Sequence, residues 1–197
     1  MSFAAANKPG QLSSIWGYAP GGSLSNALRV EQGKLRLIAG SPTESYDGSR
    51  TAPFVTLPIS GNFTAQVQIG FDPNGAYQVA GFAIRSSQEP AQQMISLRRY
   101  SDRDGGQYVD AIVVDGDSRR ISWQNFSLKT VFFKIQRSEP LISLSFSNDG
   151  KTWTPLAVDY VKSFADPVAL MLYVWSNTGN GVSATFSNFI VESKEQQ

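Results

Sequence analysis

The chain has 197 residues, a net charge of +1, 41% hydrophobic and 17% charged residues, and neither cysteine nor histidine. Length and composition describe one globular domain that can bury a core without staples, with no field to draw it to nucleic acid or anionic lipid. The two missing residue types exclude disulfides, thiolate and imidazole metal sites, a Cys nucleophile and Ser-His-Asp catalysis, leaving Asp, Glu, Lys and Tyr for chemistry.

Residues 1–26 are rich in Ala, Gly, Ser and Pro and read as an irregular lead-in pinned by Trp16. The opening MSFAAANKPG has no basic segment followed by an apolar one, and Ser2 stands where a myristoyl anchor needs glycine. A cytoplasmic chain is the expectation if Met1 is the native start. The longest apolar run, Val168 to Trp175, is too short to span a bilayer, so membrane insertion is not expected.

From residue 27 the pattern turns to short alternating runs. Leu28, Val30, Leu35 and Leu37 flank Gln32 and Gly33 as a hairpin. A loop over 40–51 and a strand over 53–59 follow. Phe63, Ala65, Val67 and Ile69 alternate with polar residues, the mark of a strand buried on one face. Asp72, Pro73, Asn74 and Gly75 form a turn before an apolar strand over 77–85. Strands over 94–100, 108–114, 121–126 and 131–135 come next. Leu141 to Trp153 (LISLSFSNDGKTW) reads as a strand, a tight turn at Asn148, Asp149 and Gly150, and a return strand on which Trp153 caps the core. One helical turn is expected near Tyr160 to Phe164. An apolar strand over 168–175 and a last run through Val182, Ala184, Phe186, Phe189 and Val191 close the sheet. Residues 193–197 read as a polar tail.

About a dozen short strands with no sustained 3.6-residue period predict an all-β, antiparallel two-sheet β-sandwich of the jelly-roll type over 27–192, as a single domain. The expected core is Phe63, Val67, Phe82, Ile84, Ile95, Leu97, Val113, Phe133, Ile135, Leu144, Phe146, Leu170, Leu172 and Phe186.

Two segments carry a resemblance: the hairpin FSNDGKTW over 146–153, and the pair VALMLYVWS over 168–176 with SATFSNFIVE over 183–192. Together they resemble the concanavalin A-like lectin/glucanase superfamily. They are similar to the accessory sandwich domains appended to bacterial xylosidases and to related domains of unknown function. The run VAGFAIR over 79–85 matches the same pattern, and the likeness spans about residues 53–192. The resemblance implies a jelly roll. It also implies that catalytic members would carry alternating carboxylates on one strand, which this chain lacks: its six Glu residues lie mostly in loops or at ends. Some members hold a structural calcium.

Alternation sorts the remaining candidates by face. With Ile95 and Leu97 inward, Arg98 and Tyr100 point outward. Tyr108 and Asp110 on the next strand share that side, as does Arg85, and Tyr173 and Trp175 share one phase with Trp123 as a neighbour. Aromatic rings, Arg and Asp on one surface are what sugar recognition uses. A non-catalytic, lectin-like carbohydrate-binding module is therefore the first reading, with a glycan as partner. The alternative is a structural, assembly or adhesion module that self-associates or binds another protein, and a glycoside hydrolase comes third. No cofactor is expected. Asp102 and Asp104 are weak calcium candidates, since Asp-Gly sequences are foremost turn signals.

Overall fold

A computed structural model describes residues 1–6, 8–19, 27–40, 52–88, 93–177 and 180–194. The expected loop over 40–51 lies, apart from Gly40, outside the described residues. In chain order the strands are β1 (Ala4–Ala5), β2 (Lys8–Leu12), β3 (Gly17–Ala19), β4 (Leu28–Glu31), β5 (Lys34–Ala39), β6 (Phe54–Ile59), β7 (Asn62–Phe71) and β8 (Gln78–Ser86). There follow β9 (Gln93–Ser101), β10 (Gln107–Asp115), β11 (Asp117–Asn125), β12 (Thr130–Ser138), β13 (Leu141–Ser147), β14 (Thr154–Val161), β15 (Val168–Ser176) and β16 (Val182–Lys194).

Two seven-stranded antiparallel sheets form a sandwich. One runs β11-β10-β9-β8-β15-β6-β3, the other β14-β13-β12-β7-β16-β5-β4. Every residue expected in the core is buried. The reason is the period of two: each strand sends alternate apolar side chains into the space between sheets. The predicted hairpin at Gln32 and Gly33 joins β4 to β5, both residues at positive φ (50° and 73°), as a two-residue loop between twisted strands requires. In β16 a bulge between Ser187 and Ile190, with Asn188 at φ 49°, lets Phe186 and Phe189 both face the core although three positions apart.

The fold departs from the sequence expectations at both ends of the chain and around residues 153–164. Within 1–26, the described residues 1–6 and 8–19 are not an irregular lead-in: β3 extends the first sheet by pairing with β6, and β1 pairs with β2. Phe3 and Trp16 are buried, their ring centroids 5.1 Å apart, and Trp16 meets Phe189 edge-on at 4.9 Å. Small residues without alternation give little strand signal, yet an edge strand satisfies their backbone groups by pairing. No helical turn forms at 160–164, because Tyr160 is held in β14 opposite Ile142. Trp153 does not cap the core; it lies half-buried on the outer side of the second sheet, with Lys134 Nζ 4.2 Å from its ring centroid. At the C-terminal end, β16 continues through Lys194, past the expected limit at 192. Among the described residues no helix is long and apolar enough to cross a membrane.

Candidate functional site

Alternation in the first sheet turns Ala80, Phe82, Ile84, Ile95, Leu97, Val109 and Ala111 into the sandwich. The opposite phase lies on the sheet's outer face. Register lays two rows of residues across it. Tyr108 stands opposite Tyr100, Tyr100 opposite Val79, and Val79 opposite Trp175. The second row runs Trp123, Asp110, Arg98, Gly81, Tyr173. Arg85 sits further along the same face, opposite Met94 and Ala169. The eight candidates from five different strands are thus brought to one surface.

That surface is not the open platform the sequence suggests. Arg98, Asp110, Tyr173 and Trp175 are all buried, Arg85, Tyr100 and Tyr108 are half-buried, and only Trp123 is exposed. A second apolar cluster explains the burial. Val79, Ala83, Met94, Ile112, Val114, Met171, Tyr173 and Trp175 pack together on this face. Alternation tells which side of a sheet a residue takes; it does not tell whether that side is covered.

The polar centre is built on Asp110, which has no exposed surface. Arg98 donates to it twice, from Nε to Oδ1 at 2.8 Å and from Nη2 to Oδ2 at 2.6 Å. Arg120 donates from Nε to Oδ2 at 3.0 Å. Both guanidiniums also lie against the ring of Tyr100, at 5.3 and 5.6 Å from its centroid. Burial holds the Tyr100 phenol above its ordinary pKa. The carboxylate thus fixes the planes of two arginines while neutralising the charge of one.

The floor depends on Gly81. A Cβ there would collide with the ring and hydroxyl of Tyr173, so glycine lets that ring lie flat across β8. The Tyr173 hydroxyl, 2.9 Å from Ser96 Oγ, is thereby satisfied beneath the apolar cluster.

Towards the edge, the Tyr108 hydroxyl donates to Asp102 Oδ2 at 2.8 Å, and the Tyr108 ring meets Trp123 edge-on at 5.2 Å. The bond from Tyr108 holds the Asp102 carboxyl below its usual range and raises the Tyr108 phenol. Asp102 Oδ1 accepts from the amides of Gly106 and Asp104 at 2.7 and 3.0 Å. The first of the two calcium candidates is therefore occupied as a turn cap. Among the described residues no three Asp or Glu side chains gather as a cation site would need. Arg85 lies over the Phe54 ring at 4.7 Å, its buried Nε has no hydrogen-bond partner among the described residues, and burial lowers its pKa.

Between these groups opens a cleft of about 390 Å³, lined by Tyr77, Arg98, Tyr100, Ile112, Ser118, Arg120, Trp175 and Asn177. Its volume falls at the small end of ligand pockets, about 300–1,000 Å³. Tyr77 stands at the rim with φ 52°, its carbonyl accepting from the Asn177 amide at 3.1 Å. Sequence reasoning missed Tyr77, Ser118, Arg120 and Asn177. It began the strand at Ile121, whereas β11 starts directly after Gly116. A bulge beside Ala111 and Ile112 then pairs Trp123 with Asp110 and Arg120 with Ile112, setting two residues of odd spacing on one face. The only signal for Arg120 was Arg-Arg beside a turn.

Chemically, the cleft can bind and orient. Both oxygens of Asp110 accept from arginine, no Asp or Glu among the described residues lines the cleft, and Asp115 pairs with Lys162 at 2.9 Å. Among the described residues no pair of carboxylates faces a common space there, the arrangement glycoside hydrolysis uses.

Comparison with known proteins extends the picture. The model of a family described as protein of unknown function (DUF1349) matches residues 41–194. A functionally unknown protein from Saccharomyces cerevisiae is similar in structure, with TM-score 0.74 and 18% identity over 92% of this chain and 96% of its own. A xylan β-1,4-xylosidase from Bacillus halodurans is similar with TM-score 0.76 and 17% identity; the match covers 98% of this chain and 38% of that one. A GH43 protein from Bacillus licheniformis gives TM-score 0.77 and 16% identity over 93% of this chain and 38% of its own. No curated protein sequence matches. At these identities the structural likeness carries the fold, which is the concanavalin A-like jelly roll.

Proposed function

We propose, for a chain that belongs to the DUF1349 family of proteins of unknown function, a non-catalytic role as a carbohydrate-binding module that uses the cleft between Tyr77 and Arg120. One observation carries the reading: Tyr100 and Trp175 line the cleft beside two arginines whose planes Asp110 holds. Aromatic faces stack on the C–H side of a sugar ring, and fixed guanidinium forks suit vicinal hydroxyls. Trp123, 51% exposed and two strands from the cleft centre, extends the aromatic surface outward. The likeness to part of a xylan β-1,4-xylosidase supports a carbohydrate setting.

The second reading is an assembly module. Val158 and Val161, 67% and 70% exposed on edge strand β14, favour self-association. A glycan array run together with light scattering on the same sample tests both. Binding by a monomer, weakened in Tyr100→Ala and Trp123→Ala while melting is preserved, is the expected result. An oligomer that captures no glycan overturns the carbohydrate reading in favour of assembly.

A further inference from the structure

Resting on that carbohydrate reading, we infer that the cleft takes an acidic glycan, one whose bound sugar carries a carboxylate, as a uronic acid does. Among the described residues the cleft lining contains Arg98 and Arg120 and no acid. Beneath them Asp110, wholly buried, offsets one of the two positive charges. The next carboxylate along the face, Asp102, is committed to the Tyr108 hydroxyl and two turn amides. Asp110 takes two bonds from Arg98 and only one, through Nε, from Arg120, so hydrogen-bonding capacity is left over on Arg120 at the cleft wall.

The geometry assigns the ligand's carboxylate to Arg120. Its Nε is tied to Asp110, its guanidinium lies over Tyr100, and its side chain remains 40% exposed. Among the described residues its two terminal nitrogens make no hydrogen bond. A guanidinium anchored through Nε presents those nitrogens end-on, the edge that accepts a planar carboxylate through two parallel bonds. Stacking on Tyr100 fixes the plane before the ligand arrives, so little side-chain freedom is lost on binding. A neutral sugar seated there would take water from the cation and return only hydroxyl contacts. A carboxylate compensates the charge it desolvates.

The test is calorimetric titration of the full chain with triuronates of galacturonate, glucuronate and mannuronate, each beside its methyl ester, which keeps the rings and removes the charge. At least one free acid is expected to bind about tenfold or more tighter than its ester in low salt, since a bidentate charged pair is at stake. That preference should shrink as salt rises from about 0.02 to 0.5 M. In Arg120→Gln, whose folding is checked by its melt, the ratio of acid to ester affinity should fall toward one. Arg119→Gln, whose side chain lies against Tyr160 instead, should keep it. Equal affinity for acid and ester, or a preference that survives Arg120→Gln, overturns the acidic-glycan inference and leaves carbohydrate binding standing. Binding of neutral glycans on the array with no uronate bound does the same. No binding to any sugar, charged or neutral, overturns both.

Discussion

Arg98 grips Asp110 by two hydrogen bonds of 2.8 and 2.6 Å, with side-chain exposures of 6% and 0%. The pair joins β9 to β10 on the outer face of the first sheet, at directly opposed positions. Cutting one partner leaves a charge without water and without its main counter-ion. Arg98→Ala is expected to cost about 3–5 kcal/mol of stability, where an exposed sheet arginine would cost little. Removing both partners, as Arg98→Met with Asp110→Leu, should cost clearly less than the sum of the singles. Urea denaturation of the four proteins in that cycle measures it, and additive losses would show that the pair acts independently.

Gly81 and Tyr173 form the second dependency. Gly81→Ala drives a methyl into the phenol ring and displaces the hydroxyl from Ser96. A loss of about 1–3 kcal/mol is expected, as for other overpacked sites. The same substitution made in a Tyr173→Ala background should cost markedly less, because the obstructing ring has gone. Thermal melts of the two singles and the double check this. Glycan affinity should also fall in Gly81→Ala, since the tilted ring disturbs its Trp175 neighbour in the apolar cluster.

Two of the tryptophans outside the cleft lining, Trp16 and Trp153, should behave in opposite ways. Trp16, 5% exposed and packed between Phe3 and Phe189, is expected to cost about 3–5 kcal/mol when replaced by Ala. Trp153, half-buried beneath Lys134, should cost much nearer the 0.5–1 kcal/mol, roughly, of an exposed cation–π contact. Equal losses in chemical denaturation would mean that the N-terminal segment is not an integral part of the sandwich.

Asp149 confers a dependence on acid. Its carboxylate accepts from the backbone amides of Thr152 and Lys151 at 2.8 Å each and from the Ser147 hydroxyl at 2.8 Å, which brings its pKa to about 2. The folded value lies below the unfolded one, near 3.9, so the contribution is complete above the unfolded pKa and fades as pH falls through it toward about 2. Asp149→Asn should melt lower than the parent at pH 7, and the gap should narrow between about pH 5 and 2. Melting temperature against pH for both proteins reads this directly.

Much of this protein could be read from its residues alone. Period-two alternation settled the fold class, the sandwich core from Phe63 to Phe186, and the side of the sheet taken by Arg98, Tyr100, Tyr108, Asp110 and Tyr173, because a strand forces adjacent side chains to opposite faces. Turn chemistry placed the hairpins at Gly33 and Gly150. What the tertiary structure alone decided depends on neighbours distant in sequence. The pairing of β11 with β10, offset by a bulge, brought Arg120 beside Asp110 and Trp123 onto the same face. The register of β15 against β8 set Tyr173 on Gly81. Edge pairing and aromatic packing made strands of an opening segment with little pattern of its own. The outer apolar cluster turned an alternating polar face into a half-closed cleft around one buried carboxylate. Local sequence carries the direction of each side chain; which side chains meet, and whether water reaches them, is set by register and packing across strands that the chain order keeps apart.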